Sequence, residues 1–236
     1  MIWTLLALAH AEDTVLNARA DQYLWSSSGF SLPQLVGTVA SDEVFVVGRG
    51  AIGVTDQVDL RAAACLVCTA LLFPAGLAAA EVDLEASERL RFAANVTVGG
   101  TKVLVFEETG LGARAGGLAT WGSLRHHLSL GAGAWYTRWD EPGGHGPLDV
   151  TVDTRLGAST RVAEWLALVA EAQAWVDPEE LPSLYWATAV TGAAARILFD
   201  PITVDLAVVG HHEQRDWTLL PWLEVAVGFD LGSLRG

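Results

Sequence analysis

One serine and one histidine in this sequence are spaced so that they could take part in hydrolysis. Ser129 lies two residues after His127, so on an extended strand both side chains point to the same face. A serine activated by a neighbouring histidine is a common hydrolytic nucleophile. Two such residues on one strand face lie about 7 Å apart, too far for a direct hydrogen bond unless the side chains lean together. A hydrolase acting on lipid is therefore kept only as an alternative.

Two cysteines and two pairs of adjacent histidines are the candidate metal ligands. Cys65 and Cys68 form a single C-x-x-C pair, and a zinc site of four cysteines needs a second pair. A local disulfide in an oxidising compartment and two small residues near a turn are the two interpretations left open. His126-His127 and His211-His212 are adjacent pairs, so each pair offers one histidine to any given strand face. We predict no metal site and no cofactor.

The composition points to a membrane protein without affinity for nucleic acid. The chain is 51% hydrophobic and only 18% charged, and its mean hydropathy is +0.34. The formal net charge is −14, and no basic patch is present to neutralise phosphates. So much apolar surface requires either a large core or an exterior that faces lipid.

Alternation of apolar and polar residues is the main structural signal. In the segment Leu148 to Ser159 the two faces separate cleanly: Leu148, Val150, Val152, Leu156 and Ala158 on one, and Asp149, Thr151, Asp153, Arg155 and Ser159 on the other. The same period of two recurs along most of the chain after residue 43, which is typical of strands with one face to lipid and one to a lumen. The sequence therefore predicts an all-β fold, a transmembrane antiparallel up-and-down β-barrel of about 12 strands, with ten as the fallback.

The strongest competing interpretation is a transmembrane helix. The run from Ala62 to Ala80 has 19 residues without a charge, which is long enough to span a bilayer. Pro74 and Gly76 lie inside the run, and no basic cluster flanks it. We therefore predict a strand end, a turn near Leu66-Val67 and a new strand. A soluble periplasmic β-sandwich is a further alternative.

The predicted connections fall into two alternating classes. Tight turns are expected at 55–57, 86–88, 122–125, 160–162 and 200–201, and mostly longer loops at 106–110, 140–147, 177–183 and 212–216, with short connections near 41–42 and 66–67. Short periplasmic turns that alternate with longer outer loops are typical of outer-membrane barrels. Aromatic residues near strand ends would then form interfacial girdles. The predicted girdle residues are Trp121, Trp139, Trp165, Trp175, Trp186, Phe199 and Trp222.

The segment Gly53-Val54-Thr55-Asp56-Gln57-Val58-Asp59-Leu60 resembles the G-V-T-D-x-x-D-L hairpin found in poorly characterised families of bacterial outer-membrane β-barrel proteins. The resemblance implies a tight hairpin with an aspartate in the turn. Many such proteins end on an aromatic residue, whereas here Phe229 is followed by seven more residues. Either Phe229 and Leu231 take the place of that terminal signal, or the departure counts against the barrel assignment.

The N-terminus suggests export. Ile2 to Ala9 is mostly apolar, and Ala9-His10-Ala11 places small residues where a signal peptidase requires them. We expect residues 1–11 to be a signal peptide, 12–30 an N-terminal periplasmic segment, and 31–236 the transmembrane barrel. The predicted location is the bacterial outer membrane, reached through the periplasm, with membrane lipid as the main partner.

Charged residues on the inward faces would line the lumen. They are Arg49, Asp59, Arg61, Glu81, Asp83, Arg91, Arg114, Asp153, Arg155, Glu171, Asp205, Glu224 and Asp230. Partly hydrated, they would line a narrow channel for small solutes or ions with a mild preference for cations. Fully paired and packed, they would close the lumen and leave a structural or surface-interaction barrel without transport.

Overall fold

The structure, a computed structural model, describes residues 23–24, 28–30, 32–42, 47–65, 74–103, 108–141, 144–176, 178, 188–213 and 216–231. Within these residues the chain forms twelve strands. They are β1 (Val36–Asp42), β2 (Val47–Thr55), β3 (Val58–Cys65), β4 (Ala75–Ser87), β5 (Leu90–Val103), β6 (Glu108–Ser123), β7 (His126–Glu141), β8 (Gly144–Ala163), β9 (Leu166–Val176), β10 (Thr188–Phe199), β11 (Ile202–Glu213) and β12 (Asp216–Asp230).

The strands form one closed barrel. Each strand pairs with the next one along the chain in antiparallel orientation, and β1 pairs with β12 to complete the ring. The closing register runs from Val36 opposite Asp230 to Asp42 opposite Glu224. Closure removes both sheet edges, so every strand has hydrogen-bonding neighbours on both sides. The predicted up-and-down barrel of about 12 strands is confirmed.

Both ends of the charge-free run between Ala62 and Ala80 are strands, while the turn expected near Leu66-Val67 lies outside the described residues. Strand β3 ends at Cys65 and β4 begins at Ala75, so both ends of the run belong to the barrel wall. Within the described ranges no helix is long and apolar enough to cross a membrane. The helical interpretation of this run is therefore wrong.

The two ends of the barrel differ in their connections. Two-residue turns at 56–57, 88–89, 124–125, 164–165 and 200–201 lie at one end, which we call the turn end, and β1 begins there and β12 ends there. The other six connections lie at the opposite end, which we call the loop end, and range from two residues, at 142–143 and 214–215, to eleven, at 177–187. The longer loops expected at 140–147 and 212–216 are therefore wrong, because the flanking strands extend to Glu141 and Glu213 and resume at Gly144 and Asp216. The turn expected at 160–162 is at 164–165, because β8 continues with alternating residues as far as Ala163. The turn expected at 86–88 is likewise displaced, to 88–89.

The outer face of the wall is apolar. Large side chains such as Leu60, Val96, Leu130, Leu156 and Leu206 are each at least 47% exposed, and they alternate along their strands with buried polar residues. An apolar band on the outside with polar residues inside is the arrangement expected of a barrel surrounded by lipid.

Candidate functional site

A segment that precedes β1 fills part of the lumen. Residues 23–24, 28–30 and 32, which we call the plug, are all buried, and Tyr23, Leu24, Phe30 and Leu32 are at most 6% exposed. The segment 12–30 was expected to lie outside the barrel, in the periplasm. Its described part lies inside instead, because the lumen offers apolar contacts that bury these rings and leucines. Residues 1–22, and with them the predicted signal peptide, lie outside the described residues.

Tyr23 is the deepest anchor of the plug. It packs with Leu24, Val169 and Trp222 in one buried apolar cluster, and its hydroxyl is 2.7 Å from the Ser129 Oγ atom. The absence of a side chain at Gly157 provides the space, since a Cβ atom there would overlap the Tyr23 ring. A glycine in the middle of a strand costs stability unless another group approaches closely, and here the plug does so.

The middle of the plug is held by polar groups of β6 and β7. The Ser28 carbonyl oxygen accepts hydrogen bonds from the Thr120 hydroxyl and, at 3.2 Å, from the Ser129 hydroxyl. The Thr120 and Ser129 hydroxyl oxygens are also 2.6 Å apart. Because irregular backbone inside a lumen must find hydrogen-bond partners, these hydroxyls satisfy part of the requirement.

The last part of the plug contacts the wall near the turn end. The Phe30 ring lies edge-on to His127, with 5.3 Å between ring centroids, and the Arg91 guanidinium lies 4.9 Å from the Phe30 centroid. The Leu32 backbone N–H donates to the carboxylate of Asp59, at 3.0 and 3.2 Å from its two oxygens. The plug backbone is therefore anchored to β3 just before the chain enters β1.

Ser129 and His127 are close on one strand but are not arranged as a nucleophile and its base. The Ser129 hydroxyl is bound to Tyr23, Thr120 and Ser28. The His127 Nδ1 atom is 3.2 Å from the Ser123 carbonyl oxygen, and its Nε2 atom has no hydrogen-bond partner among the described residues. The two side chains thus support the plug by separate contacts.

All thirteen charged residues expected in the lumen lie on strand faces that point inward. Eight are buried: Asp59, Glu81, Asp83, Arg114, Asp153, Glu171, Asp205 and Glu224. Five are half-buried: Arg49, Arg61, Arg91, Arg155 and Asp230. The structure also places Arg196 inside, fully buried, and this residue was missed. The signal that could have identified it is a lone charge in the apolar strand β10, which can only point away from lipid.

Two arginine–aspartate pairs, which we call the paired cluster, lie in the interior of the wall. The Arg114 Nε and Nη2 atoms donate to the two Asp153 carboxylate oxygens at 2.7 and 2.8 Å. Arg196 donates in the same way to Asp205, at 2.8 Å for both bonds. Bidentate geometry is the strongest form of this interaction, and it satisfies both charges of each pair.

A second group, which we call the acidic cluster, lies on β3 and β4 and consists of Asp59, Glu81 and Asp83. Asp59 is opposite Glu81 in the strand register, and Asp83 follows two residues later on the same face of β4. The Arg61 Nη2 atom is 3.1 Å from the Asp59 carboxylate and 3.5 Å from that of Glu81. The Arg61 guanidinium therefore forms ion pairs with two of the three carboxylates.

The two clusters are connected by one amide. The Asn95 side chain donates to Glu81 at 3.2 Å, and its carbonyl oxygen accepts a hydrogen bond from the Arg114 guanidinium. A polar network therefore runs from Asp153 on β8 to the plug at Leu32, through Arg114, Asn95, Glu81, Arg61 and Asp59. Networks of this kind rigidify a site when every member is satisfied.

A cavity of about 360 Å³ lies between the plug and the loop end. Tyr23 and Leu24 of the plug form its floor. Its polar wall includes Arg49, Arg61, Glu81, Asn95, Thr97 and Arg155, and its aromatic wall Trp135 and Trp222. Each of these three arginines also contacts a carboxylate, with the closest approach at 3.0 Å between Arg49 and Glu224. The cavity thus presents three guanidinium groups and one carboxylate to a small molecule.

The predicted aromatic girdle is only partly supported. Trp121, Trp165 and Phe199 are 57–61% exposed at the turn end, and Trp139 is 45% exposed at the other end of its strand. Trp222 is 9% exposed and packs inside the barrel 5.9 Å from the Arg49 guanidinium, so its assignment to the girdle is wrong. Trp175 shares the inward face of Glu171 and is opposite Asp153, so it too points into the barrel. Trp186 lies outside the described residues.

The cysteines and the remaining histidines lie apart from this site. Cys65 ends β3 and is disulfide-bonded, while Cys68 lies outside the described residues. His126 is exposed and its Nδ1 atom is 2.6 Å from the Thr160 hydroxyl. The His212 ring is tilted by 48° against the Trp217 ring, with 4.9 Å between ring centroids.

Comparison with known proteins supports the fold and nothing finer. No protein-family model and no curated protein matches the chain. Among solved structures, the NanC porin is similar at 7% identity with a TM-score of 0.53, over 84% of this chain and all of that one. The translocator domain of the autotransporter NalP from Neisseria meningitidis shares 12% identity with a TM-score of 0.48, over 97% and 98% of the two chains.

The fold, the apolar outer band and the polar lumen together define a class. This protein has the architecture of the bacterial outer-membrane β-barrels, with twelve strands and an inward-folded N-terminal plug.

Proposed function

We propose that this protein is a narrow outer-membrane channel for small solutes or ions, closed at its turn end by its own N-terminal plug. The turn end faces the periplasm in this proposal, and lipid surrounds the apolar band. The observation that carries the proposal is the cavity of about 360 Å³, which has charged walls and a floor made by Tyr23 and Leu24.

The cavity supports passage of small polar molecules rather than large ones. Ligand pockets generally have volumes of about 300–1,000 Å³, so this one admits a single small molecule or a few hydrated ions. Paired arginines and carboxylates can exchange their partners for a passing charge, as the linings of selective pores do. The inward-facing charges named above, Arg196 included, are eight carboxylates and six guanidinium groups, and this excess of acids along the lumen favours cations slightly over anions.

A barrel without transport is the second candidate. It is favoured by the paired cluster, in which Arg114 and Arg196 are at most 2% exposed and each is bound to one aspartate by two hydrogen bonds. Charges paired in this way hold the wall together and do not need a passing ion. In this case the plug is a permanent part of the core.

A substitution that displaces the plug separates the two candidates. In Gly157→Val the new side chain occupies the space of the Tyr23 ring, without any change in the plug itself. The matched control is Gly50→Val, because a Cβ atom at Gly50 meets only the Thr38 carbonyl oxygen, at 3.8 Å. Both variants and the original chain are refolded and their conductance is recorded in planar bilayers, with folding checked by the heat-dependent gel shift.

We expect rare or small current steps from the original chain and from Gly50→Val, and at least tenfold more frequent, cation-biased steps from Gly157→Val. Folded and inserted proteins that are all silent would favour the barrel without transport. Equal steady conductance of all three proteins would contradict closure by the plug.

A further inference from the structure

The acidic cluster has the geometry of a cation site. One carboxylate oxygen from each of Asp59, Glu81 and Asp83 can be chosen so that all three lie within 4.8 Å of one another. All three residues are buried, at 0%, 2% and 3% exposure. Burial of three acids together is costly unless something between them carries positive charge.

Asp83 has no partner within the part of the chain that the structure describes. Neither of its carboxylate oxygens has a hydrogen-bond donor, although the side chain is 97% buried, being 3% exposed. Asp59 and Glu81, in contrast, each accept at least one hydrogen bond from the wall or the plug. A buried carboxylate without a donor, aimed at two others, is the observation that points to a missing ligand.

The local charges leave room for a divalent cation. Three carboxylates and the Arg61 guanidinium that contacts two of them give two net negative charges. The next guanidinium along the lumen belongs to Arg91, which pairs with Glu85 at 3.2 Å and lies over the Phe30 ring. A cation with two charges would therefore neutralise the cluster.

We propose that Asp59, Glu81 and Asp83 bind a calcium ion between the plug and the wall. Calcium prefers oxygen ligands at about 2.3–2.6 Å, so oxygens on opposite sides of one ion are separated by about 4.6–5.2 Å. Magnesium binds at about 2.0–2.1 Å and demands near-ideal octahedral geometry, which three carboxylates on a rigid sheet do not readily provide.

The location gives the ion a structural consequence. Asp59 also accepts the Leu32 backbone N–H, so an ion that fixes this carboxylate fixes the end of the plug as well. Glu81 and Arg61 line the cavity, which provides a route from the lumen to the cluster. This site is independent of whether the barrel conducts, and it is tested without a conductance measurement.

The test is calorimetric titration of the refolded full chain in detergent, first stripped with EDTA, with CaCl₂ alone and with MgCl₂ alone. The diagnostic variant is Asp83→Asn, which keeps the shape of the side chain and removes its charge. The matched control is Glu88→Gln in the turn that follows the same strand, whose side chain is exposed and lies outside the cluster. The heat-dependent gel shift confirms that each protein is folded.

We expect one calcium ion per chain, at least tenfold weaker calcium binding by Asp83→Asn, and binding within twofold of the original by Glu88→Gln. Magnesium should bind at least tenfold more weakly than calcium. No calcium binding up to about 10 mM, beyond the range of weak extracellular sites, would overturn the proposal. Equal binding by Asp83→Asn, or equally tight magnesium, would overturn it too.

A second measurement requires no variant. The thermal unfolding midpoint of the original chain is compared in EDTA and in calcium, because a ligand that binds only the folded state raises the midpoint. A rise in calcium that magnesium does not reproduce supports the site. An unchanged midpoint at a saturating calcium concentration contradicts it.

Discussion

The paired cluster and the acidic cluster lie in the same lumen, but their buried carboxylates differ in how they are neutralised. In the paired cluster Asp153 and Asp205 each receive two short bonds from one arginine. In the acidic cluster three carboxylates share Arg61, and Asp83 receives no hydrogen bond from the described residues. The first arrangement is complete with protein groups alone, and the second is completed by a cation.

The difference indicates which cluster only stabilises the barrel and which one can change its charge state next to the plug. The bidentate pairs join β6 to β8 and β10 to β11 through protein groups alone, so they fix the barrel wall itself. The acidic cluster touches the plug through Asp59 and Leu32, so its charge state acts on the segment that closes the lumen. Breaking each cluster should therefore have opposite effects on stability.

The largest effect is expected from Arg114→Ala. The change leaves Asp153, which is fully buried, without its bidentate partner, and it removes the contact to Asn95. Breaking a buried ion pair by removing one partner costs about 3–5 kcal/mol. Asp153 keeps the Arg155 Nε atom at 3.1 Å, so we expect a loss near the lower end of that range, about 3 kcal/mol. Urea unfolding of the refolded barrel, followed by tryptophan fluorescence, measures this loss.

The control for this loss is Arg125→Ala, because Arg125 pairs with Glu164 at 2.9 Å on the exposed surface of two turns. Exposed pairs contribute about 0–1 kcal/mol, so this variant should unfold close to the original chain. Equal losses in the two variants would show that burial does not distinguish the paired cluster.

A smaller effect of the opposite sign is expected from Asp83→Asn. In EDTA the variant should be more stable than the original chain by about 1–3 kcal/mol, because a buried charge without a donor is removed. In calcium the order should reverse, since only the original chain keeps all three ligands. Thermal unfolding in the two buffers measures both differences, and a variant less stable in EDTA would mean that Asp83 is already satisfied.

The smallest effect is expected from Tyr23→Phe. The variant keeps the ring against Gly157 and loses the hydroxyl that is 2.7 Å from the Ser129 Oγ atom. Ser129 retains Thr120 as a partner, so the loss should be at most about 1 kcal/mol. Tyr23→Ala, which also removes the ring, should cost several times more in the same unfolding assay. Equal costs would show that the ring is not packed in the lumen.

The barrel could be predicted from the sequence because residues that face lipid and residues that face the lumen alternate along each strand. Each residue of segments such as 148–159 faces either lipid or lumen, and a period of two is visible without knowledge of the partners. The same alternation already placed Trp222 with Glu224 and Trp175 with Glu171, on the inner face. They were assigned to the girdle because they are tryptophans. Their odd or even position along the strand is the better indicator of the face on which they lie.

The plug and the acidic cluster could not be predicted in this way. The described residues of the plug belong to no helix or strand, so no period reveals that Tyr23 and Phe30 fold inward. Asp59 and Glu81 are distant in sequence and meet only through the register of β3 and β4. Contacts of that kind depend on the pairing of particular residues across strands, which a pattern of polarity leaves undetermined.

The most direct test of the central claim, that the N-terminal plug lies inside the barrel, is the reactivity of a thiol placed in it. Ser28→Cys and Gln34→Cys are compared in the refolded protein with a bulky, water-soluble maleimide, since Ser28 is fully buried and Gln34 is exposed. We predict that Gln34→Cys reacts rapidly and that Ser28→Cys reacts only after unfolding. Equal reaction rates of the two thiols in the folded barrel would contradict the plug.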